Sequence, residues 1–199
     1  MITYILIGLT VVVSFRCFNR QDIFWRLALI PYQCAHRGEW YRVLTHGFVH
    51  ADTVHLLVNM FTFYSFGTYM EKVFPYFGLS SLAYLGLYFG GMIAASLYDL
   101  VVYRDQSNFA SVGASGAVSA VLFTSILFDP FGKILFFAIL PIPGIVFGVL
   151  YLLYCQYMSK QSGGNINHNA HFWGALFGLV YPVLLEPDIL THFLSRLGL

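Results

Sequence analysis

The chain has 199 residues, of which 58% are hydrophobic and only 10% charged, with a formal net charge of +1. A soluble domain carries roughly a quarter charged residues, so water is not the main solvent here. No Lys/Arg run is dense enough to follow a phosphate backbone, which excludes nucleic acid as a partner. The length suits a single domain, residues 1–199, without internal repeats or low-complexity tracts.

Charges leave long uncharged windows, and a bilayer core about 30 Å thick needs about 20 mostly apolar residues per helix. Six spans are predicted in chain order, at about 2–15, 53–70, 78–98, 113–128, 136–158 and 168–185. The first follows Met1 with no basic n-region or small-residue cleavage site, and is expected to remain as an anchor. Residues 16–49 hold Arg16, Arg20, Arg26, Arg37 and Arg42 among Trp25, Trp40, Tyr41, Leu27, Leu29 and Ile30. Such a mixture predicts a folded insert at the membrane interface. Cys17 and Cys34 fall around it without a C-x-x-C; both read as apolar fillers, like Cys155, with pairing left open.

Asp52 is placed to cap the second span. The start of the fourth, Gln106, Ser107, Asn108, Ser111 and Gly113, is too polar and small for a lipid-facing helix, which predicts a watery cavity beside it. Gly163 and Gly164 are expected to break the chain between the last two spans.

Polar residues inside the spans carry the chemistry. His55 and Asn59 share a helix face, Ser115 sits in G-A-S-G, and His171 in A-H-F-W-G. Alternate spans run the same way, so depth follows from about 1.5 Å of rise per residue. Measured from the charge ending each span, Asn59 lies roughly 18 Å, Ser115 roughly 21 Å, His171 roughly 22 Å and His55 roughly 24 Å away, near one level. A serine hydroxyl needs a base to accept its proton, and histidine suits that role. An amide, an imidazole N–H and the Ser115 backbone N–H are suitable donors to an oxyanion. With Glu186 roughly 22 Å from His171 and Asp52 used as a cap, the expectation is a Ser-His dyad without a carboxylate. Small residues around Ser115, and the G-x-x-x-G of Gly174 and Gly178, favour close helix approach.

The chain resembles the rhomboid intramembrane serine proteases of the basic six-helix bacterial type. The resemblance runs from Glu39, Trp40, Tyr41 and Arg42 through His50, His55 and Asn59, Gly67 and Glu71, and residues 113–116, to Ala170, His171, Gly174 and Gly178. It implies an all-α membrane protein, a six-transmembrane-helix bundle with a folded interfacial first loop. Ser115 would be the nucleophile and His171 the general base. His55, Asn59 and Gly113 would line the oxyanion and substrate site, with His50, Arg42, Glu71, Gly174 and Gly178 structural. No cofactor or metal is implied. The partners would be membrane proteins with a transmembrane helix, cut in or near that helix, and the lipid bilayer. The resemblance implies a bacterial inner membrane, a cytoplasmic N-terminus and a site opening outward. That orientation puts Arg16, Arg20, Arg26, Arg37, Arg42, Arg104 and Lys160 outside, against the usual charge bias, unless the insert is compact. The fifth span and residues 160–169 would form the substrate's gate and cap.

Two departures stand out. Ser119 occupies the place of an aromatic that in many bacterial members stacks on the catalytic histidine, and Tyr41 replaces a common tryptophan. Two other classes remain to be weighed. One is an inactive rhomboid-like scaffold; the other is a metal hydrolase using imidazoles such as His46, His50, His168 and His171, although no H-E-x-x-H is present.

Overall fold

A computed structural model describes residues 1–136, 139–161 and 166–199. The expected break at Gly163 and Gly164 lies outside the described residues. Helices dominate: α1 (Ile2–Asn19), α2 (Gln21–Leu27), α3 (Pro31–Arg37), α4 (Arg42–Thr45), α5 (Thr53–Val73), α6 (Ser81–Val102), α7 (Ser115–Phe128), α8 (Gly144–Met158), α9 (His168–Leu185) and α10 (Asp188–Arg196). Among the described residues, α1 and α6 are each long and apolar enough to cross a membrane. A third span is reached if α9 and α10, bent by 118°, count as one.

Exposed residues confirm the apolar surroundings. Tyr4, Ile5, Leu9 and Val12 of α1, Val54, Leu57, Val58 and Phe61 of α5, and Val149, Leu150 and Leu153 of α8 all point outward. Faces this apolar need lipid or protein against them. α5 is 21 residues long and interrupts its apolar run with hydroxyls. Thr62, Ser65 and Thr68 each donate back to the carbonyl four residues earlier, so none is left unpaired on that face.

At the centre stands α7, with every residue from Gly116 to its end buried. Fourteen residues make a helix about 21 Å long, shorter than a bilayer core of about 30 Å. Its N-terminus therefore begins inside the protein, under the loop that follows α6.

Several boundaries differ from expectation, and α1 and α5 run on to Asn19 and Val73. The fifth helix starts at Gly144, not near 136, because a β-hairpin of β1 (Lys133–Phe136) and β2 (Leu140–Pro143) precedes it. Pro141 and Pro143 lack the N–H a helix would use, so the all-α expectation fails locally. The third helix runs past Asp99 to Val102, because Asp99 is buried and does not mark the end of an apolar span. Beyond the last predicted span, α10 forms after Pro187 and packs Ile189 into the core.

The insert is folded as expected, through α2 to α4. Buried Arg42 organises it: Nη1 donates to the carbonyls of Trp25 and Ala28, both at 2.7 Å, and Nε to Glu39 Oε2 at 2.7 Å. Trp25 and Trp40 stay exposed at its rim. Cys17 and Cys34 are free and buried, so they do not pair. Arg42→Ala should destabilise the protein by about 3 kcal/mol, because two carbonyls lose their donor; the midpoint of thermal denaturation in detergent measures this. The Arg42 guanidinium also holds the Glu39 carboxyl below its usual range. That stabilisation is present above the ordinary carboxylate pKa and is lost as pH falls through the lowered one. Glu39→Gln should flatten the acid side of the stability profile.

Glu71 finds its role at the other end. It accepts from the Met1 ammonium, Ile2 N at 2.7 Å, Thr3 N at 3.0 Å and Thr3 Oγ1 at 2.8 Å, capping α1 from a neighbouring helix. Four residues earlier, Gly67 leaves room for Thr3 and Tyr84, since a Cβ there would lie 2.8 Å from Thr3 Cγ2 and 2.7 Å from Tyr84 Oη. The Gly67 and Glu71 pair thus docks the start of α1.

Candidate active site

Ser115 opens α7, at the end of a loop pinned by the insert. Leu29 and Ser111 exchange backbone hydrogen bonds at 3.0 and 2.9 Å, and Gly113 N donates to the His46 carbonyl at 3.0 Å. The Ala114 N–H donates to His50 Nε2 at 3.4 Å, while His50 Nδ1 meets Ser14 Oγ at 3.0 Å. An acceptor Nε2 assigns the His50 proton to Nδ1, so this buried ring bridges α1 and the residue before Ser115. His46 is also accounted for: it is buried, its Nδ1 bonds the Arg42 carbonyl at 3.0 Å, and burial lowers its pKa to about 4.

Gly113 is required twice over. Its φ of +117° is a region L side chains rarely adopt. A Cβ there would also stand 2.8 Å from His55 Cε1 and 2.9 Å from His55 Nε2. The His55 ring therefore lies directly against the loop leading to Ser115. Asp52 Oδ1 accepts from His55 N at 2.8 Å, the expected cap of α5. Asn59, one turn on, is buried and donates one amide hydrogen to the His55 carbonyl at 2.9 Å, leaving its second for another acceptor.

α7 and α9 meet backbone to backbone. A Cβ on Gly174 would fall 2.2 Å from the Gly116 carbonyl oxygen, and one on Gly178 only 2.1 Å from that of Ala120. A Cβ on Gly116 would in turn stand 3.5 Å from the Ala170 carbonyl oxygen. Ser115 immediately precedes Gly116 and His171 immediately follows Ala170, so this contact carries both to one end of the helix pair. Thr124 Oγ1 fastens the other end by donating to the Gly178 carbonyl at 2.7 Å. Among the described residues, no hydrogen bond joins Ser115 Oγ to His171.

An aromatic ring does face His171, from a different helix. Tyr151 of α8 lies nearly parallel to it, with centroids 6.3 Å apart and planes at 15°. The Tyr151 hydroxyl is 3.2 Å from Ser119 Oγ. Ser119 thus contacts a tyrosine of α8 whose ring lies parallel to that of His171. Spacing within one helix gave no signal of this, since the partner lies 32 residues away.

A second group missed by spacing is Asp99. Buried on α6, its Oδ2 accepts from Asn167 Nδ2 at 2.5 Å, and Asn167 also donates to Ser111 Oγ at 3.2 Å. The Asn167 Oδ1 accepts from Ala170 N at 3.1 Å, capping the helix that carries His171. One network joins α6, the Ser115 loop and the start of α9. An Asp one turn from the end of an apolar run, facing an Asn-x-x-Ala helix start, was the available clue.

Residues 37–187 match the rhomboid domain. The chain belongs to the rhomboid family. Rhomboid proteins are membrane-embedded, and the family includes serine intramembrane proteases and inactive homologues. Relatives include RHOMBOID-like protein 12, mitochondrial, of Arabidopsis thaliana, 27% identical over 83% of this chain and 52% of its own length. The rhomboid protease GlpG of Haemophilus influenzae is 29% identical over 72% of this chain and 69% of its own. The putative rhomboid protease YdcA of Bacillus subtilis is 26% identical over 81% and 76%. The chain spans about half the length of the first of these relatives.

Proposed function

We propose that this rhomboid protein is an intramembrane serine protease that hydrolyses peptide bonds in or near transmembrane segments of other membrane proteins. The observation that carries this reading is the α7–α9 contact, which brings the residues flanking Gly116 and Ala170 together. Ser115 Oγ attacks the substrate carbonyl as His171 accepts its proton, and His171 then protonates the leaving amine. His55, the second Asn59 amide hydrogen and the Ser115 N–H stabilise the oxyanion. Water, activated by the same histidine, releases the acyl-enzyme. Both dyad members are retained, which favours the protease over an inactive scaffold.

The six longer helices α1, α5, α6, α7, α8 and α9 would form the six-span bundle, with the insert in the outer leaflet and the N-terminus cytoplasmic. A bacterial inner membrane is the proposed location, and the substrates are membrane proteins presenting a transmembrane helix. Asn59, Ser115 and His171 then lie roughly 10 Å below the outer face. Compactness of the Arg42-centred insert accounts for an outward excess of arginine, because the charge bias applies to flexible translocated loops.

Tyr151 takes the orienting role that Ser119 cannot fill alone. Tyr151→Leu should lower kcat roughly 10- to 100-fold with little change in KM, since a misplaced base costs rate more than binding. Tyr151→Phe, keeping the ring, should lose less. Steady-state cleavage kinetics in detergent separate the two.

The test of the function is incubation of the purified protein with a membrane-helix substrate. Two fragments from wild type, with cleavage surviving a chelator, support it. An intact substrate favours the scaffold, and loss of cleavage to a chelator favours a metal hydrolase.

A further inference from the structure

Cys155, His168 and His171 form a cluster that the proposed chemistry uses only in part. One ligand atom from each lies within 4.8 Å of the other two. Cys155 comes from α8, whereas the histidines are one turn apart on α9 and so face the same way. Cys155 is fully buried and His168 only 7% exposed. His168 Nδ1 has no hydrogen-bond partner, although a buried ring nitrogen is ordinarily satisfied. The His168 ring is otherwise held by aromatic contacts, edge-on to Tyr154 at 5.4 Å and to His171 at 6.1 Å.

We propose that these three residues bind a thiophilic divalent metal ion, zinc above all, and that its occupancy switches the protease off. One thiolate and two imidazoles are donors that zinc favours and that magnesium and calcium do not. Ligand atoms about 2.0–2.3 Å from a tetrahedral zinc stand roughly 3.3–3.7 Å apart, so side-chain rotation closes the cluster by about 1 Å. Binding releases the Cys155 thiol proton to water, and each imidazole donates a ring-nitrogen lone pair in its neutral form. A fourth position remains for water. With its lone pair on the metal, His171 has none for the Ser115 proton. The ion also joins α8 to α9.

The inhibitory half rests on the Ser115–His171 reading; metal binding does not. Purified protein in detergent is titrated with Co²⁺, following the near-ultraviolet thiolate-to-cobalt absorption, and zinc is then added to displace it. Cleavage is measured in parallel across a zinc series. The expected result is a one-equivalent thiolate band, and zinc inhibition whose midpoint rises roughly tenfold or more in Cys155→Ser and in His168→Gln. Two variants are used so that a folding failure in one leaves the other to decide. Absence of the band in wild type, or unchanged zinc sensitivity in a folded variant, overturns the site. A band without any cleavage leaves the metal site standing and removes the dyad reading, and cleavage without a band does the reverse.

Discussion

Ser115→Ala and His171→Ala should each reduce cleavage of a membrane-helix substrate by roughly 10³-fold or more, with the double variant no worse than either alone. The expectation follows from a shared step: the serine hydroxyl is a weak nucleophile without the base, and the base has no proton to take without the serine. Truncating the oxyanion donors should act on the same transition state less severely. Asn59→Ala is expected to cost roughly 10²–10³-fold in kcat, provided its second amide hydrogen meets the oxyanion. Its first amide hydrogen is bonded to the His55 main-chain carbonyl, so the variant also removes one local hydrogen bond within α5. Gel quantification of product over time measures all four variants against wild type. Equal residual activity in Ser115→Ala and wild type would remove the serine from the mechanism.

Gly174→Ala and Gly178→Ala are expected to be nearly as damaging, although neither residue carries chemistry. An added Cβ would meet backbone atoms, the Gly116 carbonyl oxygen at 2.2 Å or that of Ala120 at 2.1 Å, and backbone cannot swing aside as a side chain can. The two helices must part by about 1 Å to restore ordinary contact. Overpacking of this kind costs about 1–3 kcal/mol, and a displacement of about 1 Å between base and nucleophile can cost 10²-fold in rate. Parting near Gly178 also breaks the 2.7 Å Thr124 hydrogen bond. Gly8→Ala is the control, because nothing lies within 4 Å of a Cβ there. Comparing cleavage rate and thermal midpoint across the three variants checks the argument. Wild-type kinetics in Gly174→Ala would show that the close contact is not what sets the site.

Sequence spacing captured what is local. Asp52 was readable as a cap because its partner is three residues away, and Gly174 and Gly178 as a packing stripe because they share one face. The roles proposed for Ser115 and His171 rest on residue chemistry and common depth, and the helix contact at Gly116 sets both residues at one end of the helix pair. Features that depend on distant partners were less legible. In the sequence Asp99 marks the boundary of an apolar window, yet it is buried, with Asn167 supplying a donor from 68 residues away. Ser119 stands where an aromatic is expected, and the parallel ring beside His171 comes from α8. Cys155 is free and buried, as an apolar filler would be, and its place beside two histidines depends on the packing of α8 on α9. Residues 140–143 satisfy a hydropathy window for the fifth helix, yet they form the proline-bearing strand β2.

Covalent labelling reads out the proposed activation of Ser115 by His171. Purified protein is treated with a fluorophosphonate and the modified peptide mapped by mass spectrometry. The expected result is a single adduct on Ser115 in wild type, and its loss in His171→Ala with the serine still present. An adduct on another residue, or undiminished labelling of Ser115 without the histidine, would contradict it.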